Sequence, residues 1–124
     1  MAESKEDVLN VVDAYVKAVR SGDNKALRAT FADDMEMMCR PMAGVETGHM
    51  TGGDAIAAFY AKLLKDRGGA NPHPGPLIVD GDRVAVEIDA HHAAFIDEVA
   101  DFFTIRNGKI QRLAVYSAGS REKT

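Results

Sequence analysis

The chain has 124 residues, a mass of 13.4 kDa and a formal net charge of −4 with a pI near 5.5. That length makes one domain, with room for a core and a modest pocket. Its Lys and Arg are scattered rather than clustered, which excludes a nucleic-acid surface, and no apolar run approaches the ~20 residues of a membrane span. A single cysteine forbids an internal disulfide. With no leader pattern in the opening stretch Met-Ala-Glu-Ser-Lys-Glu, the cytoplasm is the expected compartment.

Val8, Leu9, Val11, Val12, Tyr15, Val16 and Val19 recur at three- and four-residue steps and predict an amphipathic helix over 6–20. Ser4 is its N-cap, and Glu6 and Asp7 put negative charge in the first turn. Ser21-Gly22-Asp23 ends it, and Asp23 can cap a shorter helix over 24–31 that Ala32-Asp33-Asp34 closes. A strand-like run follows over 35–39. Its alternation places Met35, Met37 and Cys39 on one face and Glu36 and Met38 on the other. Pro41 and four glycines make 40–53 a long loop or a short hairpin. Asp54 is expected to cap a third helix over 55–65, with Ile56, Phe59, Tyr60, Leu63 and Leu64 on one face. The stretch 66–75 reads as a Gly/Pro-rich connection, with His73 solvated in it.

The second half reads as strands. A short one over 77–79 turns at Asp80-Gly81-Asp82 into a longer one over 83–92. Val84, Val86, Ile88, Ala90 and His92 share one face of that strand; Glu87, Asp89 and His91 share the other, so His91 and His92 cannot jointly chelate a metal. Strands over 100–106 and 109–117 flank Asn107-Gly108, a strong two-residue hairpin signal. Helices first and antiparallel strands after give an α+β class. The expected form is a curved mixed or antiparallel sheet wrapped around the N-terminal helices, a cone with an internal pocket.

Asp101 stands out in this pattern. It interrupts the apolar run Val99-Ala100-Asp101-Phe102-Phe103-Thr104-Ile105, where a carboxyl must be paired, protonated or exposed. The methionines Met35, Met37, Met38, Met42 and Met50 read as core or as the lining of a greasy pocket. No metal site and no cofactor is expected.

Several segments together resemble a known family. Val11-Val12-Asp13-Ala14-Tyr15-Val16, Ser21-Gly22-Asp23, Phe31-Ala32-Asp33-Asp34, Gly53-Asp54-Ala55-Ile56-Ala57-Ala58-Phe59-Tyr60 and Asp101-Phe102-Phe103-Thr104-Ile105 ahead of Gly108-Lys109-Ile110 are similar to ketosteroid isomerases. They also resemble the wider SnoaL-like branch of the nuclear-transport-factor-2-like cone fold. The resemblance runs from about residue 7 to 117 and is clearest in the first 60. The fold hosts isomerases, dehydratases, cyclases, epoxide hydrolases and non-enzymes, so it does not by itself fix an activity.

The resemblance implies roles for particular residues. Tyr15 falls on the family's oxyanion tyrosine, Asp101 on its protonated oxyanion acid, and Tyr60 on a tyrosine that supports the first through a hydroxyl–hydroxyl hydrogen bond. The family's general base is an Asp five residues after Phe-Ala-Asp-Asp and immediately before a proline. Here that position is Cys39, and Arg40 intervenes before Pro41. Only a minority of a thiol is ionised at neutral pH, so it is a poor substitute for a carboxylate. Glu46, His49 and His92 are the other candidates for the proton acceptor.

The expected lining adds Met37, Val86, Ile88, Phe103, Leu113 and Val115 to Tyr60 and His92. The implied ligand is a small apolar ketone, steroid- or polyketide-like, held by a homodimer paired through its open sheet face. The activity implied is cofactor-independent proton-transfer isomerisation. The alternatives are a silent binding domain that lacks the base, or another SnoaL-like lyase or hydrolase.

Overall fold

The computed structural model describes residues 4–123; residues 1–3, part of the opening stretch read above, and residue 124 lie outside it. Helix α1 (Lys5–Ser21) forms where its stripe predicts, with the Ser4 hydroxyl accepting from the Asp7 N–H at 3.1 Å. It buries Val8, Val12, Tyr15, Val16, Ala18 and Val19. Helix α2 (Asn24–Ala29) is capped by the Asp23 side chain, which accepts from the Ala26 N–H.

The first departure follows directly. Ala32-Asp33-Asp34 does not close α2 but belongs to strand β1 (Phe31–Met38). Phe31 pairs in parallel with Ile110, and the Ile110 N–H donates to the Thr30 carbonyl at 2.7 Å, so sheet pairing pulls the chain out of the helix two residues early. Of the two readings of 40–53, the hairpin holds. Strand β2 (His49–Thr51) runs antiparallel to β1, with Met37 opposite Met50.

Helix α3 (Gly53–Asp66) has Gly52 and not Asp54 at its N-cap; Asp54 lies in the first turn. Arg28 explains the difference. Its guanidinium donates to Asp54, to Asp33 and to the Phe31 carbonyl, drawing α2, β1 and α3 together. A Cβ on Gly53 would stand 2.8 Å from the Arg28 Cζ and 2.7 Å from the Ala32 oxygen, so this junction requires glycine.

The Gly/Pro-rich connection contains strand β3 (Asn71–Pro74), which pairs with one edge of the sheet; an edge tolerates the prolines a central strand would reject. His73 is exposed as expected, but on this strand rather than in a loop, with its ring 4.2 Å from that of His91. Strands β4 (Ile78–Asp80), β5 (Arg83–His91), β6 (Phe95–Arg106) and β7 (Lys109–Glu122) follow. The last two reach well beyond the 100–106 and 109–117 expected, and turn at Asn107-Gly108 with φ of 53° and 71°.

The sheet order is β2-β1-β7-β6-β5-β3, with β4 on β5; β1 and β7 are parallel and the other pairs antiparallel. Irregularities at Glu98/Val99 and Thr104/Ile105 bend the long β6–β7 ribbon, and the unclosed sheet curves around the helices. The core lies between them, with Phe31, Phe103, Ile56, Ile105, Ile110 and Leu113 fully enclosed. The outer face of β6–β7 leaves Phe102 and Tyr116 exposed, their rings edge to face at 5.6 Å. No helix among the described residues is long and apolar enough to cross a membrane.

Candidate functional site

The curved sheet and helices α1 and α3 leave a recess of about 870 Å³, counted out to its open mouth. At its inner end three buried polar groups come from three elements: Tyr15 on α1, Tyr60 on α3 and Asp101 on β6. The two tyrosine hydroxyls share a hydrogen bond of 2.5 Å. Phe103 stands edge-on to the Tyr15 ring at 5.3 Å and Phe31 lies 6.5 Å away, so the ring has little freedom to turn. Burial, the Tyr60 hydroxyl and the nearby Asp101 carboxyl all raise the Tyr15 pKa well above that of a free phenol. Burial and Asp101 likewise push Tyr60 upward. Both remain O–H donors at any physiological pH. When Tyr60 donates to Tyr15, the Tyr15 hydrogen is free for the cavity.

Asp101 is 4 % exposed, and its Oδ1 has no hydrogen-bond partner among the described residues. Its neighbours across the sheet are Val86 on β5 and Val115 on β7, and it forms no ion pair among the described residues. Burial therefore pushes its carboxyl up to about 7.

Cys39 lines the same recess, half-buried, and burial raises its thiol pKa, which favours the neutral thiol. Its backbone is fixed by a 2.9 Å bond from its N–H to the Gly48 carbonyl, and a Cβ on Gly48 would fall 2.5 Å from the Cys39 oxygen. The alternation read on β1 holds: Met35 and Met37 are buried, while Glu36 and Met38 are exposed. Glu46 and His49 are exposed in the hairpin and do not line the recess.

Met37, Ile88 and Val115 line it, with Tyr60 and His92. Val86, Phe103 and Leu113, also named from the sequence, lie outside it. They lie 3 %, 1 % and 0 % exposed in the core, further along the strands, where the helices pack onto the sheet and leave no cavity.

His92 has another role than the one expected of a free acid–base group. Its Nδ1 lies 2.9 Å from the Gly69 carbonyl oxygen, and its Nε2 lies 3.3 Å from Asp97 Oδ2. Both ring nitrogens are engaged. Asp97 and Arg67, which also line the recess, were not singled out from the sequence. The Arg67 Nη1 and the Ser120 hydroxyl donate to opposite oxygens of the Asp97 carboxylate. Burial opposes ionisation there, but Ser120, Arg67 and His92 outweigh it and hold the Asp97 carboxyl below its ordinary value. The signal was present: stepping back by two from Asp101 along β6 gives Val99 and then Asp97 on the same face. A strand begun at residue 100 hid it. Among the described residues no group of three or more His, Cys, Asp or Glu is placed to hold a metal ion.

The model of the SnoaL-like domain matches residues 12–113, most of the chain. The chain belongs to the SnoaL-like domain family. Among solved structures, this SnoaL-like domain superposes on a SnoaL-like protein of unknown function from Burkholderia thailandensis with a TM-score of 0.81 at 15 % identity, covering 96 % of this chain and 100 % of that one. It is also similar to an LEH-like epoxide hydrolase from M. tuberculosis, with a TM-score of 0.74 at 18 % identity over 90 % and 83 % of the two chains. A de novo designed protein with a curved β-sheet gives 0.73 at 22 % identity, over 91 % and 86 %. An enzyme and a designed scaffold share the architecture equally well, so these likenesses carry the fold alone. Among proteins of curated function, none matches the SnoaL-like sequence.

Proposed function

We propose that this protein binds a small apolar carbonyl compound, steroid- or polyketide-like in bulk, whose oxygen accepts from Tyr15 and from protonated Asp101. The observation that carries this reading is the orphaned Asp101 Oδ1, buried beside the Tyr15–Tyr60 pair, in a recess whose lining also includes apolar Met37, Ile88, Val99 and Val115. A buried polar atom with no partner calls for an explanation, and a ligand oxygen supplies one. Two such donors in a dry site also stabilise the enolate that forms when a proton leaves the carbon beside a ketone.

Isomerisation further requires a proton acceptor. Cys39 occupies the family's base position as a neutral thiol, and His92 has both nitrogens engaged. On this reading the protein binds well and isomerises poorly, and Cys39→Asp creates 3-keto-Δ5 steroid isomerase activity. A positioned base is worth about 10²–10⁴ in rate. Exposed Phe102 and Tyr116 suit pairing of two copies through the outer sheet face, with the pockets left open.

A second reading is favoured by the burial of Asp101 at the inner end of the recess: burial pushes its carboxyl up to about 7, matched to proton transfer at neutral pH, so that Asp101 itself moves the proton. The two differ in sign. If Asp101 donates to the ligand, affinity for a simple phenol falls as pH rises through about 7; if ionised Asp101 accepts, affinity holds or rises there. Titrating such a phenol from pH 5 to 9 decides between them. Binding unaffected by Tyr15→Phe at every pH removes the oxyanion site altogether.

A further inference from the structure

The recess has a second polar end. On β6, Asp97, Val99 and Asp101 share the cavity face, and at ~3.3 Å per residue Asp97 stands about 13 Å along the strand from Asp101. Between them the walls are apolar, with Val99 flanked by Ile88 on β5. Asp101 is 4 % exposed at its end of the strand face; at the Asp97 end the Arg67 side chain is 21 % exposed.

The charges at this end are not balanced. Asp97 is engaged at both oxygens, by Ser120 on Oδ1 and by Arg67 and His92 on Oδ2. Arg67 is only half used. Its Nη1 binds Asp97 and its guanidinium lies over the Phe95 ring at 5.4 Å, while Nε and Nη2 have no partner among the described residues. The carboxylate and the ring fix the plane of the fork and leave one edge unsatisfied. Exposed Arg40 also lines the recess, with no ion pair among the described residues. Two cations thus face the cavity against one carboxylate that is already neutralised.

We propose that this end is an acid-recognition subsite, and that the natural ligand is an apolar carbonyl compound bearing a carboxylate at its far end. The free edge of Arg67 receives that carboxylate as a paired set of hydrogen bonds, and Arg40 adds positive charge to the same recess. Asp97, His92 and Ser120 are positioning residues that orient the fork. The proposal rests on the carbonyl site at Tyr15 and Asp101, since it places the other end of the same molecule, and it separates this protein from binders of neutral ketones.

The test uses a rigid rod with the two functions at opposite ends, 4′-acetylbiphenyl-4-carboxylate, and its methyl ester, each titrated calorimetrically. The acid binds the wild type about tenfold or more tightly than the ester, the effect of a charge-assisted hydrogen-bonded pair. Arg67→Gln brings the acid-to-ester ratio close to one. Arg67→Lys keeps a cation beside Asp97, guards against a folding failure, and lowers the ratio at least about threefold because the planar fork is gone. Tyr15→Phe weakens both probes by the same factor and leaves the ratio intact. Equal binding of acid and ester, or a ratio unchanged in both Arg67 variants, overturns the acid subsite. If Tyr15→Phe changes neither probe while the ratio still depends on Arg67, the subsite stands and the carbonyl site falls. Binding of neither probe overturns both.

Discussion

Asp97 and Asp101 lie four residues apart on one face of the same strand, both buried, yet their surroundings drive them to opposite states. Asp97 meets a guanidinium, an imidazole and a hydroxyl, and is held as a carboxylate. Asp101 meets valines and two tyrosines, keeps one oxygen unpartnered, and is held toward its neutral acid. The residue type is the same and both lie below a tenth exposed, but Asp101 sits deeper and their partners differ. The satisfied acid organises the mouth of the recess, and the unsatisfied one marks where a ligand oxygen belongs.

The largest expected effect comes from destroying the satisfied member. Asp97→Ala leaves Arg67 and His92 without their anion. Removing one partner of a buried ion cluster costs about 3–5 kcal/mol, with the lower end apt here because Arg67 is partly solvated. Urea denaturation at pH 7 measures it, and a loss under about 1 kcal/mol would mean that the cluster is ornamental.

The unsatisfied member gives a pH-dependent effect of opposite sign. The folded pKa of Asp101, about 7, exceeds the unfolded value of ~3.9, so the folded state holds its proton more tightly. The stability due to Asp101 is complete below about pH 4, declines between about 4 and 7, and is lost above that. Three units at 1.36 kcal/mol each amount to about 4 kcal/mol. Asp101→Asn removes the decline, so the variant gains on the wild type steadily from pH 4 to 8 in parallel denaturation series. Asp97, with its pKa held low, adds stability above about pH 4 that is lost on acidification, and Asp101→Asn leaves that limb unchanged.

Smaller still is the support behind the oxyanion tyrosine. Tyr60→Phe removes the 2.5 Å hydroxyl bond to Tyr15 with little change in volume. It costs about 1 kcal/mol in stability and loosens phenol binding modestly, because Tyr15 keeps its ring contacts with Phe31 and Phe103. An effect as large as that of Tyr15→Phe on binding would make Tyr60 a direct ligand group.

The contrast between the two aspartates also shows what a sequence can reveal. The α1 stripe, the Asn107-Gly108 turn and the β1 alternation are local patterns, and each appears in the fold where the pattern puts it. Asp101 was legible because it breaks an apolar run. Asp97 was not, since its strand extends past the residues whose composition announces a strand, and its meaning depends on Arg67, thirty positions away at the C-terminal cap of α3. Distance in sequence likewise hid the early end of α2, which is set by β7, and the start of α3, which is set by Arg28. Val86, Phe103 and Leu113 have the right parity for a pocket, but parity names a face and not how far along it the helices close the space.

The central claim is that Asp101 is a buried acid without a partner, protonated into the neutral range and waiting for a ligand oxygen. Carboxyl-carbon NMR titration of the unliganded protein, with Asp101 assigned by its loss in Asp101→Asn, tests it directly. The account predicts a midpoint of about 7 for Asp101 and one below the ordinary aspartate value for Asp97. An Asp101 midpoint near 4, that of a solvated carboxylate, would contradict it.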